Sequence, residues 1–164
     1  MSLGLFFKLL HVFAAIAFFC GLVGRMVTFR AAGRARDLPS ALALLQLSEW
    51  FERWLVIRTG TPLILFGVLA AWQGGWPIFG FLQEANSNWL LVSLILLLAP
   101  ALLVPLYLLP ARRRRTQAAE QAGARGEITP ELSAALHDRR VLALRTVEFV
   151  VVVVITILMV TKPF

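Results

Sequence analysis

The sequence predicts an all-α protein, a bundle of four transmembrane helices, and three features of the residue pattern support this fold class. Hydrophobic residues make up 59% of the 164-residue chain, above the about 45–50% of ordinary soluble domains. They concentrate in four long apolar runs, each near the about 20 residues that a helix needs to cross a bilayer. The charged residues lie mostly between these runs and give a net charge of +7. Basic residues that flank membrane spans explain this charge better than nucleic-acid binding does, so no nucleic-acid partner is predicted.

The first predicted span covers residues 3–28, and its composition indicates close packing against another helix. His11 lies inside this apolar run, which Lys8 and Arg25 also interrupt. Small residues recur along the run at spacings of three and four, which places them on one helical face: Ala14, Ala17, Gly21 and Gly24. Such a stripe lets two helix backbones approach each other in a membrane.

An amphipathic segment, residues 41–53, leads into the second predicted span at residues 54–72. We expect this segment to form a short interfacial helix before the span. Pro62 interrupts the span and removes the hydrogen bond to the carbonyl of Arg58, which predicts a kink. The hydroxyl of Thr59 is placed to satisfy a freed backbone group.

The second half of the chain predicts two more spans with a polar, helical segment between them. Residues 73–88 are rich in Gly, Pro, Asn and aromatic residues, which predicts a loop at headgroup depth and leaves its re-entry into the membrane open. The third span, residues 89–110, carries no charge. Residues 112–140 form the largest polar segment, in which Thr129-Pro130 is typical of a helix start. The fourth span covers residues 141–160.

The distribution of arginine predicts the orientation. Arginines follow the first and third spans, whereas the loop between the second and third spans has no Lys or Arg. The positive-inside rule therefore puts both basic segments in the cytoplasm and both termini outside, for a single multi-pass domain, residues 1–164, in a bacterial inner membrane. Four adjacent arginines are expected to fix this orientation and to attract anionic lipid headgroups: Arg112, Arg113, Arg114 and Arg115.

Four stretches of the chain carry a resemblance to known proteins: Lys8-Leu9-Leu10-His11-Val12, Phe51-Glu52-Arg53, Gly126-Glu127-Ile128-Thr129-Pro130-Glu131-Leu132 and Met159-Val160-Thr161-Lys162-Pro163-Phe164. They resemble a bacterial family of four-span predicted integral membrane proteins with no assigned function, over nearly the whole chain. The first-span Leu10-His11 followed by small residues is similar, at a greater distance, to copper-resistance-D-like and HemJ-type membrane proteins. The HemJ-type likeness implies His11 as a ligand of haem b, but the third span here has no histidine or lysine for the opposite side of the haem.

His11 is the sharpest candidate for a binding residue, because polar side chains inside a span are costly and often functional. It is interpreted either as a structural histidine, hydrogen-bonded across helices to Ser93 or Thr156, or as a haem or metal ligand. A role in moving a proton or a substrate is a further alternative. In each case the side chain should face protein and not lipid.

Charged residues in and beside the second and fourth spans predict buried polar contacts between helices. The predicted buried polar or ion-pair residues are Glu52, Arg53, Arg58, Arg145 and Glu148. Glu148 is expected to pair with Arg58, Arg53 or Arg145. The alternative is a pathway for protons or ions.

The sequence contains no catalytic constellation and no cluster of metal ligands, so no catalytic or metal-binding set is predicted. Three functions remain open. The first is a non-enzymatic scaffold or accessory subunit that acts in a homo-oligomer or a larger membrane complex. The second is a haem- or metal-binding redox protein that uses His11. The third is a small transporter or ion-conducting protein that uses Arg58, Arg145 and Glu148.

Overall fold

The computed structural model describes residues 2–83 and 88–163, and every regular element in these two ranges is helical. The four residues Glu84–Ser87 of the predicted loop lie outside the described part. The elements in chain order are α1 (Leu3–Ala32), α2 (Leu38–Phe51), a π-helical segment (Glu52–Ile57), α3 (Arg58–Gln73), a 3₁₀ turn (Gly80–Gln83), α4 (Trp89–Arg125), α5 (Pro130–Leu136) and α6 (Arg139–Thr161).

Side-chain caps set the points at which the helices begin. Asp37 accepts a hydrogen bond of 2.8 Å from the Ser40 amide at the start of α2, and this bond holds the pKa of the Asp37 carboxyl below its usual value. Thr129 accepts from the Leu132 amide at the start of α5, as the Thr129-Pro130 signal predicts. Asp138 caps α6 in the same way. These caps satisfy amides that a helix start leaves without partners.

Three helical stretches are long and apolar enough to cross a membrane, namely Leu3–Ala32, Leu38–Gln73 and Pro130–Thr161. They contain the first, second and fourth predicted spans. The third predicted span lies in α4, of which Trp89–Leu98 is a shorter apolar stretch. Instead of ending at residue 110, α4 continues to Arg125, so the four arginines after the span lie on a helix.

The second span differs from its prediction in where its irregularity lies. The expected interfacial helix runs into α3 as one helical stretch of 36 residues, Leu38–Gln73. The irregular turn is the π-helical segment at Glu52–Ile57, upstream of Pro62, which lies inside α3. The Thr59 hydroxyl donates to the carbonyl of Leu55 and so satisfies a backbone group of that turn. A π-turn accommodates one extra residue and rotates the helix that follows it.

The glycines of the α1 stripe permit close approach to the second helical stretch. A Cβ added at Gly21 would lie 2.7 Å from the Cβ of Leu55 and 3.0 Å from its carbonyl carbon. A Cβ added at Gly24 would lie 2.6 Å from the ring of Phe51. Helix α1 therefore packs along α2 and α3, whereas α4 packs chiefly against α6.

The best-buried apolar cluster lies at one end of the bundle, where α1 ends and α2 begins. We call this end of the bundle the arginine-rich end. The cluster joins five helices through residues that are all buried: Phe29, Ala32, Leu38, Leu45, Ala118, Ala122, Leu132, Leu136 and Val141. Elsewhere the described apolar side chains point largely outward, among them Phe13 and Val160. A surface of this kind suits lipid as the solvent.

A buried ion network and the cavity beside it

Charged side chains from three helical elements meet inside the bundle, toward the arginine-rich end and about two turns before α1 ends. Nη1 of Arg25 lies 3.3 Å from Oε1 of Glu52, and Nη2 of Arg25 lies 2.5 Å from Oε2 of Glu148. Nη2 of Arg145 lies 3.6 Å from Oε2 of Glu52. The guanidinium of Arg25 thus connects α1 to the π-helical segment and to α6.

A further pair extends this group toward α4. Nη2 of Arg115 lies 3.5 Å from Oε1 of Glu49. The ring of Phe29, which is fully buried, lies 4.2 Å from the guanidinium carbon of Arg145 and 5.3 Å from that of Arg115. Cations over an aromatic face are attracted by its quadrupole. We call the six residues Arg25, Glu49, Glu52, Arg115, Arg145 and Glu148 the ion network; its formal charges balance.

The arginines of the ion network are more deeply buried than its carboxylates. Arg25, Arg145 and Arg115 are 2%, 4% and 5% exposed, while the Glu52 and Glu148 side chains keep 20% and 19% exposure. Within the described residues, the Nε atoms of all three arginines and Nη1 of Arg145 have no hydrogen-bond partner. Buried donors without an acceptor are costly, so these N–H groups are available to an acceptor that enters beside them.

A cavity of about 430 Å³ lies against the ion network, between the α1–α3 pair and the α4–α6 pair. Among the described residues, α3 makes no close backbone contact with α4 or α6, which leaves this gap between the pairs. Its apolar wall includes Phe18, Ile64, Leu97 and Val152, and its polar end is formed by Arg25, Glu52, Arg112, Arg115, Arg145 and Glu148. The volume lies in the about 300–1,000 Å³ range of small-molecule sites.

Three of the predicted buried polar residues, Glu52, Arg145 and Glu148, come together in the ion network. The other two differ from the prediction, because Arg53 and Arg58 are exposed. Arg58 stacks over the ring of Trp54 at 3.6 Å. The predicted partners of Glu148 are also wrong, since its partner is Arg25. The π-turn rotates Arg53 and Arg58 away from the bundle, and a cation on α1 takes their place.

The sequence held a signal for one of the two arginines that the prediction missed. Arg25 follows Gly21 by four residues, so it lies on the same packed face of α1. For Arg115 the spacing gives no such signal. Arg115 lies four residues from Ala111 and three from Ala118, but the exposed Arg114 lies three and four residues from the same two alanines.

The four arginines predicted to meet lipid headgroups divide into three environments. Arg113 and Arg114 are exposed, as headgroup contact requires, and Arg115 is buried in the ion network. Arg112 is half-buried and lines the cavity. Because α4 continues through this cluster, successive arginines point about 100° apart, so the four side chains are spread around the helix.

His11 faces protein, in contact with α3. Its Nδ1 lies 2.9 Å from the carbonyl oxygen of Leu63, and a Cβ added at Gly67 would lie 2.8 Å from its ring. The predicted partners are wrong: the hydroxyl of Ser93 donates to the Trp89 carbonyl, and that of Thr156 to the Val152 carbonyl. The reason is that α1 packs against α3 at this level. Because a carbonyl only accepts, Nδ1 carries the proton.

The remaining groups with metal-ligating chemistry lie apart. Nδ1 of His137 hydrogen-bonds to the Ser133 carbonyl in α5, and Cys20 is exposed on α1. In residues 2–83 and 88–163, no three side chains of His, Cys, Asp or Glu are grouped so that they could hold a metal ion.

Long apolar helices, an outward-facing apolar surface and a charge-paired interior define an integral membrane protein. The chain belongs to the family described as predicted integral membrane protein (DUF2269), whose sequence profile matches residues 5–163. That family has no assigned function. No curated protein and no solved structure matches the chain.

Proposed function

We propose that this protein is a non-enzymatic scaffold or accessory subunit of a membrane complex, and that the ion network is structural. The observation that carries the proposal is the pairing of Arg25 with both Glu52 and Glu148. An arginine stays protonated in proteins and does not lose a proton to a substrate at neutral pH. Carboxylates held against it serve to join helices and are poor general bases.

The arginine-rich end supplies the surface on which a partner protein would sit. The buried cluster there fixes α2, α5 and the end of α4 to the membrane-spanning helices. Outside this cluster, α4 presents exposed polar side chains such as Gln117 and Glu120. A rigid polar platform of helices on a membrane bundle suits docking of a soluble domain or of another subunit.

The full arrangement that we propose has four spans in a bacterial inner membrane, with α4 supplying the third span. Both arginine-rich segments, the one after α1 and the one after the apolar part of α4, meet at the same end of the bundle. The positive-inside rule then puts that end in the cytoplasm and both termini outside. A phosphatase that is active only outside the cytoplasm should work when fused to Phe164 and fail when fused at Gly123. The opposite pattern would overturn the orientation.

The scaffold proposal is tested by photo-crosslinking in intact cells followed by purification of the full-length chain in mild detergent. A photoreactive amino acid at Gln117 or Glu120 should capture one protein of constant mass in a fixed ratio. The matched control is the same amino acid at Phe13, which is exposed on the apolar surface of α1 and should capture no protein. Capture from Phe13 only, or no captured protein from any position, would contradict the proposal.

A haem-binding redox protein is the second candidate, and the geometry of His11 favours it. Donation from Nδ1 to the Leu63 carbonyl leaves Nε2 with its lone pair, and metal-bound histidines are oriented by such a bond. A second copy of the chain would have to supply an opposite histidine, which makes a homo-oligomer part of this candidate. A Soret band in the purified protein that His11→Ala abolishes would establish it. A colourless protein with a destabilised His11→Ala variant would leave His11 as a packing residue.

A small transporter or ion-conducting protein is the third hypothesis. It would need Arg58, Arg145 and Glu148 along one path. Arg58 stacks on Trp54 at the surface while Glu148 pairs with Arg25, so no contact among the described residues joins Arg58 to such a path.

A further inference from the structure

We infer that the cavity between the two helix pairs is a binding site for one anionic phospholipid, with its phosphodiester at Arg112 and a hydrocarbon chain between the pairs. The cavity has the two kinds of surface that such a molecule presents. Its polar end lies at the arginine-rich end, and its walls are apolar and come from α1, α3, α4 and α6. A lipid in this cavity is compatible with either of the first two proposed functions.

The shape of the cavity suits an elongated molecule. Leu96 and Arg112 of α4 both line the cavity; they are 16 residues apart in sequence, or about 24 Å of helix. That length reaches from headgroup depth past the middle of a hydrocarbon core of about 30 Å. A water-soluble anion would fill only the polar end and would leave the apolar length of the cavity empty.

The charges at the polar end favour an anion that carries one negative charge. Three arginines of the ion network balance three glutamates, whereas Arg112 lines the cavity without an ion pair among the described residues. Behind Arg112, Nε of Arg115 and both Nε and Nη1 of Arg145 have no acceptor within the described residues. A phosphodiester supplies one negative charge and several acceptor oxygens. A zwitterionic headgroup would also bring a cation beside Arg112.

The cluster Arg112–Arg115 also provides matched control positions for a substitution at Arg112. Arg112 lines the cavity, while Arg113 and Arg114 are exposed and do not line it. All three lie at the same membrane edge, and replacing any one by Gln removes the same charge. General attraction of headgroups to a basic cluster predicts three equal effects. A built site predicts an effect at Arg112 alone.

The test titrates delipidated full-length protein in a neutral detergent with dioleoyl-phosphatidylglycerol and counts bound lipid by native mass spectrometry. We expect one lipid per chain, and at least about tenfold weaker binding of dioleoyl-phosphatidylcholine. Arg112→Gln should weaken phosphatidylglycerol binding about tenfold, the effect of losing one charged hydrogen bond, while Arg113→Gln and Arg114→Gln bind as the wild type does. Equal weakening by all three substitutions, or equal binding of the two lipids, would overturn the inference.

Two further substitutions and a competition with inorganic phosphate test whether the cavity holds the hydrocarbon chain of the lipid. A Cβ added at Gly60 on the cavity wall meets only the Phe18 ring, at 3.8 Å, so Gly60→Leu should fold, narrow the cavity and weaken lipid binding. Gly123→Leu, at a helix position with nothing within 4 Å, should bind as the wild type does. If Gly60→Leu binds phosphatidylglycerol normally, or if inorganic phosphate displaces the lipid at equal concentration, the cavity does not hold a lipid chain.

Discussion

Replacing Arg25 by Gln is expected to lower the stability of the bundle strongly, because one guanidinium contacts two carboxylates on other elements. Arg25 is 2% exposed and contacts Glu52 at 3.3 Å and Glu148 at 2.5 Å. Removing one partner of a buried ion pair costs about 3–5 kcal/mol, because the remaining charge is left uncompensated. The two glutamates keep about a fifth of their side-chain surface exposed, and Glu52 keeps Arg145. We therefore expect about 3 kcal/mol, the lower end of that range.

The assay is thermal denaturation of the full-length protein in detergent. For a chain of this length, about 3 kcal/mol corresponds to a fall in Tm of about 6–12 °C. The matched control is Arg36→Gln, which removes the same charge from an exposed position after α1 and should leave Tm within about 1–2 °C. An Arg25→Gln variant as stable as Arg36→Gln would refute the claim that Arg25 holds the helices together.

Three more substitutions test separate parts of the fold. Gly21→Ala should cost about 1–3 kcal/mol of stability, because the added Cβ would meet the Leu55 backbone. The control Gly123→Ala should leave Tm unchanged or raise it slightly. Equal effects of the two substitutions on Tm would rule out close packing at Gly21. Arg58→Gln should change Tm by less than about 2 °C, since the side chain is exposed on Trp54; a fall as large as that of Arg25→Gln would place Arg58 in the ion network after all. The bond to Ser40 lowers the pKa of the Asp37 carboxyl, so the cap contributes its full stabilisation above pH 3.8, the usual pKa of this group. That stabilisation is lost as the pH falls through the lower pKa of the folded protein. Tm of the wild type should therefore fall more than that of Asp37→Asn below pH 3.8, and parallel curves would show that the cap does not titrate.

The sequence predicted the membrane helices well, because a helix in lipid requires a long apolar run that is easy to recognise in a sequence. The apolar runs of about 20 residues correspond to α1, α3 and α6, and Thr129-Pro130 gives the start of α5. The sequence predicts a third span that ends at residue 110 and a separate helical segment after it, whereas α4 continues through both to Arg125. Its inner face holds Ala118 and Ala122, which pack in the apolar cluster with Leu132. Burial of this face explains why the polar segment continues the helix of the span.

The centre of the site was less predictable, because the rotation of one helix decides which charges meet. Glu52 lies at the start of the π-helical segment, and nothing in a single sequence states that a turn is widened at that point. The prediction therefore assigned Arg53 and Arg58 to the interior with Glu148. Arg25 lies near the end of its apolar run, where a basic residue is also typical of a charge that flanks a span. Its spacing from Gly21 was the one available sign that it faces inward.

The environment of His11 illustrates the same limit. The polar residue in an apolar run correctly indicated contact with protein, yet its acceptor is the main-chain carbonyl of Leu63. Every residue carries such a carbonyl, so the sequence offers no sign of which one will be used. The absence of a side chain at Gly67 is what makes room for the imidazole.

The contact between Arg25 and Glu148 is the central claim, because it ties α1 to α6 across 123 residues of sequence. A double-mutant cycle measures it most directly, with Tm and unfolding free energy determined for the wild type, Arg25→Gln, Glu148→Gln and the double variant. Direct pairing predicts that the two losses do not add, with a coupling free energy of about 1–3 kcal/mol. Losses that add to within about 0.5 kcal/mol would show that the two side chains do not meet, and the ion network as described would be wrong.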